Sequence, residues 1–192
     1  MATSASTIKE SSKGLKRLDF TTFANVINGN LVTTAKTRHG INPATKTLLP
    51  EVPIATAHDL DEAVSAAKVA FRKWSKTPLS ERRAALEAFA VALESYESEL
   101  ASMLTTEQGK PIHAALAEAR SGPAWIRGIN KIQILDEVIE EEDRKVYLRY
   151  TPLGVVGAIV PWNFPIQTLI GKIAPALMTG NTIIVKPSPF TP

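Results

Sequence analysis

The fold class of this chain is decided by residues 154–192, GVVGAIVPWNFPIQTLIGKIAPALMTGNTIIVKPSPFTP. The segment begins with VVGAIV, which is apolar on both faces, as expected of a parallel strand covered by helices. A helix is predicted next, kinked at Pro175 and ended by Gly180 and Asn181, and TIIVKP then predicts a second buried strand. Strand, helix and strand in this order form a βαβ unit. The sequence therefore predicts an α/β protein with an incomplete doubly wound parallel sheet.

Two polar side chains are predicted at the carboxyl end of this sheet. Asn163 follows the first strand, between Pro161 and Pro165, and Lys186 ends the second strand. Proline fixes its own φ at about −65° and keeps the preceding residue out of a helix, so the Asn163 side chain is expected to hold one direction. Ligands of doubly wound sheets bind beyond the carboxyl ends of the strands. The sequence therefore predicts an amide and a cation at one ligand-binding rim.

The residues alone leave two roles open for each of these side chains. A neutral asparagine can donate its N–H to a developing oxyanion, and loss of such a donor typically costs about 100- to 1000-fold in rate. Asparagine is equally suited to cap the helix that follows it. Lys186 is either a ligand contact at the rim or an exposed lysine that ends a strand.

Hairpin and helix signals precede this unit. Asn28-Gly29 predicts a two-residue hairpin turn, because both residues tolerate positive φ. Thr56 and Asp59 form a capping box that begins a first helix. A third helical region is predicted from Pro111, with a restart after Gly122-Pro123. Apolar side chains at helical spacing define the first helix and a second one: Leu60, Val64, Ala67, Phe71 and Trp74 in the first, and Leu86, Phe89, Leu93, Tyr96, Leu100 and Leu104 in the second.

The segment between these helices and the βαβ unit has two parts. The acidic run from Asp136 to Asp143 favours a solvated connector over a metal site, and we assign no metal to the chain. The following residues, RKVYLRYTP, alternate in polarity and predict a short strand exposed on one side. Such a strand is able to pair with another chain.

Composition narrows the function classes. The 192 residues carry a net charge of only +3, spread along the chain, which argues against a nucleic-acid-binding surface. We identify no transmembrane segment and no secretory signal, and we expect a cytoplasmic protein with a disordered tail at residues 1–20. The chain contains no cysteine, which excludes disulfides and cysteine-ligated metals within it.

An ordered set of motifs gives the chain a family resemblance. From about Phe23 to the last residue they are INGN, NPAT, AVSAAKVAFRKW, ERRAAL, TTEQGKP, GVVGAIVPWNFP and KPSPFTP. In this order they resemble the N-terminal part of the aldehyde dehydrogenase superfamily. The resemblance implies NAD(P)-dependent oxidation of an aldehyde to a carboxylic acid. It also implies that residues 21–134 and 153–192 belong to a partial NAD(P)-binding domain, that residues 135–152 form an oligomerisation arm, and that the catalytic domain is absent.

The same resemblance assigns roles around the PWNFP and KP motifs. Asn163 matches the family's side-chain amide donor to the aldehyde oxygen. Lys186 matches the lysine that binds the adenosine ribose, and Ser188 is expected to contribute a hydroxyl to cofactor binding in place of the family's glutamate. The backbone that lines the dinucleotide cleft is matched by Ile159, Val160, Pro161 and Trp162.

Further positions match the substrate side and the oligomer interface of the family. Phe164 and Thr168 match residues that face the substrate tunnel. Lys172 matches a lysine of the active-site helix. The strand at residues 144–150 matches the arm through which these enzymes assemble, which implies a homo- or hetero-oligomer.

Two departures from the family pattern limit these implications. Pro189 stands where many NAD-preferring members carry a glutamate, so the choice between NAD and NADP stays open. The family's nucleophilic cysteine and general-base glutamate lie beyond the matched motifs, and this chain has no cysteine. Without a thiolate the covalent step has no candidate residue, so we expect the chain alone to be inactive.

Three functions therefore stay open at this point. The chain is the N-terminal part of an aldehyde dehydrogenase, a non-catalytic truncated homologue that binds a full-length aldehyde dehydrogenase through the strand at Tyr147, or part of an acylating member that releases an acyl-CoA.

Overall fold

The computed structural model describes residues 18–192, so almost all of the predicted tail at residues 1–20 lies outside it. Two antiparallel hairpins come first, and four helices follow. A third hairpin then precedes the C-terminal strand–helix–strand unit. In chain order the elements are β1 (Asn25–Ile27), β2 (Asn30–Val32), β3 (Thr37–Ile41), β4 (Leu48–Pro53), α1 (Ala57–Trp74), α2 (Leu79–Ser95), α3 (Glu97–Gln108), α4 (Ile112–Asn130), β5 (Glu137–Glu140), β6 (Lys145–Leu148), β7 (Val155–Ile159), α5 (Pro165–Met178) and β8 (Thr182–Lys186).

The C-terminal unit has the predicted βαβ topology. Strands β7 and β8 pair in parallel, from Val155 opposite Thr182 to Ile159 opposite Lys186, and α5 connects them. Proline is tolerated at the start of α5 because the first helical N–H groups have no partner within the helix. The αL conformation of Gly180, at φ 85°, turns the chain from α5 into β8. The α/β fold class predicted from the sequence is confirmed.

Helix α1 covers one side of this unit through two long-range hydrogen bonds. The indole of Trp74 donates to the Leu177 carbonyl at 3.0 Å, and the Thr182 hydroxyl donates to the Ala67 carbonyl at 3.0 Å. The predicted capping box at the start of α1 is present, with reciprocal bonds between Thr56 and Asp59. The helix therefore begins where the sequence predicts and ends in contact with α5.

The hydrophobic core lies between α2, α4 and α5. Leu86, Ile126 and Ile170, one from each of these helices, are almost completely buried, and Ala90, Ala174 and Met178 complete the cluster. A second, smaller cluster joins α3 to α4 through Ala101, Leu104 and Ala115. The small residues let the helices approach closely, and the large ones fill the space between them.

Two helix boundaries differ from the sequence prediction. The apolar stripe from Leu86 to Leu104 predicted one helix, but α2 and α3 are separated at Tyr96, whose φ and ψ are −116° and 18°. The predicted restart after Gly122-Pro123 is also wrong, because α4 continues through both residues. A Cβ at Gly122 would lie 3.4 Å from Ile166, so this glycine lets α5 pack closely against α4. Tertiary packing therefore compensates for the helix-breaking tendency of this pair.

The hairpins agree with the sequence in one case and correct it in another. Asn28 and Gly29 have φ of 51° and 76° between β1 and β2, which confirms the predicted turn. The acidic run at residues 136–143, predicted as a connector, instead contributes β5, which pairs with β6. Opposite charges face each other across this hairpin, where Lys145 lies 2.7 Å from the Glu140 carboxylate, and such cross-strand pairs favour the pairing. No helix within residues 18–192 is both long and apolar enough to cross a membrane.

We expect Gly180→Ala to lower the free energy of unfolding by at least about 1–2 kcal/mol, because the αL conformation is costly for an L-residue with a side chain. The new Cβ would also lie 3.0 Å from Pro152 and against the Arg82 guanidinium. Urea denaturation followed by circular dichroism measures the change. The matched control is Gly128→Ala, at an exposed position of α4 where the Cβ meets open space. That variant should gain about 1 kcal/mol, and equal effects at both positions would contradict the prediction.

Candidate active-site turn

The candidate site is the turn that follows β7. The Val160 N–H donates to the Lys186 carbonyl at 3.1 Å, which extends the parallel pairing by one hydrogen bond. Asn163 and Lys186 therefore leave neighbouring strands at the same edge of the sheet, as the sequence predicts. We refer to residues 161–165 as the proline turn, since a proline stands at each end of it.

Most side chains of this edge face outward. Asn163, Pro161 and Lys186 are exposed, and the exposed fraction is 76% for Ile159 and 51% for Trp162. Val160 is the exception, because it is buried beneath the turn. The edge thus presents an amide, an ammonium group and apolar surface on one side of the sheet.

The segment after Lys186 closes on itself. The Lys186 ammonium donates to the Pro187 carbonyl at 3.2 Å. Ser188 is buried, and its hydroxyl accepts the Phe190 N–H at 3.2 Å. Pro189 is exposed between them and carries no hydrogen-bonding side chain. The Ser188 hydroxyl therefore shapes its own turn rather than facing outward.

The helix-capping role considered for Asn163 is taken by another residue. Phe164 is the N-cap residue of α5, and it makes no side-chain capping bond. Instead, one carboxylate oxygen of Glu118, on α4, accepts the N–H groups of Ile166 and Gln167 at 3.0 and 3.4 Å. A carboxylate suits this position because the first turn of a helix carries unpaired N–H groups and a partial positive charge. The Asn163 side chain is thus left to the exposed edge.

Lys110 contacts the proline turn from a second direction. Its ammonium pairs with Glu118, donates to the Asn163 carbonyl at 2.9 Å and lies 4.1 Å from the centre of the Phe164 ring. The Lys110 and Glu118 side chains are only 12% and 1% exposed. From the sequence neither residue was assigned a role. Lys110 stands in the TTEQGKP motif and Glu118 in the third helical region, and the signal that could have found them is a charged residue on a helix face that must be buried.

One face of α5 continues the site. Phe164, Thr168 and Lys172 follow one another at intervals of one helical turn and therefore share a face. The Thr168 hydroxyl donates to the Phe164 carbonyl at 2.7 Å, and Lys172 is exposed one turn further on. A Cβ at Gly171 would lie 3.4 Å from the Trp125 ring, so α4 contributes an aromatic side chain close to this face.

Comparison with known proteins identifies the family of this chain. The sequence model of the aldehyde dehydrogenase family matches residues 32–192. The chain belongs to the aldehyde dehydrogenase family. A putative aldehyde dehydrogenase of Gibberella fujikuroi, FUS7, is 41% identical over 175 residues, which are 91% of this chain and 38% of that protein. The chain thus spans well under half the length of that relative.

Solved structures of the family share the fold. The NADP-dependent glyceraldehyde-3-phosphate dehydrogenase of Bacillus halodurans, complexed with NADP, superposes with a TM-score of 0.84 at 29% identity, over 88% of this chain and 38% of that one. A point mutant of betaine aldehyde dehydrogenase from Staphylococcus aureus, in complex with NAD+, gives 0.80 at 31% identity, over 88% and 36%. The structural neighbours of this chain therefore include complexes with either dinucleotide.

Two further groups of polar residues lie outside the edge of β7 and β8. His58, Asp59 and Glu62 bring three potential metal-ligand atoms within 4.8 Å of one another. The Asp59 carboxylate, however, is used in the capping box, where it accepts the Thr56 N–H at 2.6 Å. A cavity of about 370 Å³ has Glu107 in its wall, and burial raises the pKa of this carboxyl to about 7.

The raised pKa of Glu107 should make stability pH-dependent. Between the ordinary pKa of 4.5 and the folded-state value of about 7, the folded chain holds a proton that the unfolded chain has released. The free energy of unfolding therefore falls as pH rises through this window, and the loss is complete above it. We expect Glu107→Gln to reduce this decline and to raise the melting temperature at pH 8 more than at pH 5.

Calorimetric melting at the two pH values measures this effect. The control is Glu62→Gln, which changes an exposed carboxyl on α1. A Glu107→Gln variant with the same pH dependence as the parent chain would show that burial of this carboxyl does not control stability.

Proposed function

We propose that this chain supplies the oxyanion donor and the adenosine-side cofactor contacts of an NAD(P)-dependent enzyme that oxidises an aldehyde to a carboxylic acid. The observation that carries the proposal is the exposed Asn163 side chain on a turn whose backbone is fixed, at the same sheet edge as Lys186. Ligands bind at this edge in doubly wound sheets. Membership of the aldehyde dehydrogenase family supports the reaction class.

The chemistry proposed for Asn163 follows from its neutral amide. When a nucleophile adds to an aldehyde, the carbonyl oxygen gains negative charge, and an N–H donor already in place stabilises that charge without reorganisation. The amide remains a donor over the whole working pH range because it does not titrate there. We further propose that Phe164 and Thr168 face the substrate and that Lys172 lies further along the same helix face.

The nucleophile must come from outside these residues. The chain contains no cysteine, and a serine or threonine hydroxyl that no base activates is a weak nucleophile at neutral pH. We therefore propose that the isolated 192 residues do not turn over aldehyde. Residues supplied by the longer relatives would have to complete the site.

The residues of the sheet edge fit a dinucleotide. We propose that the backbone from Ile159 to Trp162 lines its binding cleft and that the exposed Lys186 ammonium donates to the ribose hydroxyls. Ser188 is less suited to this role than the sequence alone suggests, because it is buried and its hydroxyl oxygen already accepts the Phe190 N–H. When bound, the dinucleotide supplies the hydride acceptor. NAD and NADP are both compatible with Pro189, which brings no carboxylate next to the ribose.

A second function is favoured by the β5–β6 hairpin. All residues of both strands are exposed, including the apolar side chains of Val138, Ile139, Val146 and Tyr147. An exposed edge strand presents unpaired backbone N–H and C=O groups that can pair with a strand of another chain. We propose that the arm at residues 144–150 binds a second aldehyde dehydrogenase subunit, whether or not this chain takes part in catalysis.

The catalytic proposal is tested by reduction of NAD and NADP with a panel of aldehydes. We expect no turnover from the isolated chain. When the chain is fused to the remaining part of a family member, turnover should appear, and Asn163→Ala should lower kcat by about 100- to 1000-fold. Asn30→Ala, in the exposed β1–β2 hairpin, is the control and should leave kcat unchanged. Equal rates for Asn163→Ala and the parent fusion would disprove the role of Asn163.

The pairing proposal is tested by size-exclusion chromatography of this chain mixed with a full-length aldehyde dehydrogenase. We expect a mixed complex that Val146→Glu abolishes, because a charge is placed on the pairing strand. Val69→Glu introduces the same charge at an exposed position of α1 and should preserve the complex. Loss of the complex in both variants, or in neither, would count against the arm as the binding surface.

A further inference from the structure

We propose that Lys110 and Glu118 are positioning residues that together hold the proline turn in the conformation from which Asn163 acts. The inference rests on the proposed role of Asn163 as oxyanion donor, and it adds two residues that lie far from the turn in sequence. Neither touches the reacting atoms. Both act through the backbone that carries the Asn163 side chain.

The two side chains form hydrogen bonds with the backbone on both sides of Pro165. Lys110 donates to the Asn163 carbonyl at 2.9 Å, on the N-terminal side. Glu118 accepts the Ile166 N–H at 3.0 Å, on the C-terminal side. Because Lys110 and Glu118 form an ion pair, their two hydrogen bonds connect the backbone on one side of Pro165 to the backbone on the other side.

The turn has few hydrogen-bond donors of its own. Pro161 and Pro165 have no backbone N–H, so two of the donors that would fix an ordinary turn are missing. On the upstream side, Val160 is held by its hydrogen bond to the Lys186 carbonyl. On the downstream side, the Phe164 carbonyl accepts the N–H and the hydroxyl of Thr168, and Lys110 and Glu118 connect the turn to α4 and the residues just before it.

Stability alone is a poor explanation for this pair. Burying two charges costs desolvation energy that their mutual attraction does not necessarily repay, and replacing such a pair by neutral residues is often harmless to folding. Helices α4 and α5 already pack against each other in the core through Ile126, Ile170 and Ala174. The charged groups instead orient the backbone of the proline turn. Apart from the ion pair, their contacts lie on residues 163–167: the Asn163 carbonyl, the Phe164 ring and the N–H groups of Ile166 and Gln167.

The test uses two double variants of the 192-residue chain. Lys110→Met with Glu118→Gln removes the ion pair without leaving a buried charge unpaired, and the new amide oxygen can still accept helix N–H groups. Lys110→Glu with Glu118→Lys keeps the ion pair but reverses it. A carboxylate cannot donate to the Asn163 carbonyl, and an ammonium cannot accept the Ile166 N–H. The reversed variant therefore preserves an ion pair between positions 110 and 118 and removes the hydrogen bonds from these side chains to the turn.

The readout is the NMR order parameter of backbone N–H groups, which needs no turnover. In the parent chain we expect about 0.85 at Asn163 and Phe164, the value of a rigid backbone, and below about 0.6 in both double variants. Ala158 in β7 should stay at the parent value. The control is Arg127→Met, which removes ion pairs from α4 to Glu87 and Glu94 on α2 and should leave the turn rigid.

Each outcome decides the proposal. A rigid turn in either double variant overturns it. In the reversed pair both contacts with the turn are gone, and in the neutral pair the contact from Lys110 is gone, so rigidity would show that these contacts are dispensable. Loosening of Ala158 together with Asn163 also overturns it, because the pair would then serve the packing of the whole unit. The proposed catalytic function fails separately, if the fused enzyme is indifferent to Asn163→Ala while the turn still depends on Lys110 and Glu118.

Discussion

The parallel register of β7 and β8 is the constraint on which the candidate site depends. Ile159 lies opposite Lys186, so the proline turn and the lysine leave the sheet at the same level. A shift of one residue would reverse the faces of β7 and move Val160 from the interior to the surface. The register is fixed by the burial of Ala158 and Val160 and by the hydrogen bond from Val160 to Lys186. The same apolar residues that form the core thus set the position of the polar ones.

The buried carboxylate of Glu118 then stabilises the turn that follows the sheet. The sheet fixes where the chain leaves β7, but a turn bounded by two prolines keeps few of its own hydrogen bonds. Glu118 meets this shortage because its carboxylate lies between an ammonium group and the unpaired N–H groups of α5. Each partner offsets part of the cost of removing the charge from water. The arrangement joins the α3–α4 connector and α4 to the proline turn and α5, although Lys110 is 53 positions from Asn163 and Glu118 is 48 positions from Ile166.

The sequence predicts those parts of the structure that depend on neighbours in the chain. The βαβ unit, the turn at Asn28-Gly29 and the capping box at Thr56 are local patterns, and all three are confirmed. The continuity of α4 through Gly122-Pro123 was missed because it depends on close packing against Ile166. Lys110 and Glu118 were missed for the same reason, since their contacts with the proline turn form only when α4 packs against α5. The position of Asn163 was predictable from β7 alone, whereas the groups that hold it were not.

The choice of dinucleotide depends on the same distinction between local and distant groups. From the sequence, Ser188 is expected to share in ribose binding, but it is buried and its hydroxyl oxygen accepts the Phe190 N–H within a turn of its own. Among the residues we assign to this part of the cleft, Lys186 is then the one whose donor group is exposed at the edge. An ammonium attracts a 2′-phosphate as well as it donates to a hydroxyl, and Pro189 adds no carboxylate that would repel the phosphate. On these residues, discrimination against NADP has no electrostatic source, so any preference for NAD must come from groups that approach the ribose from other segments.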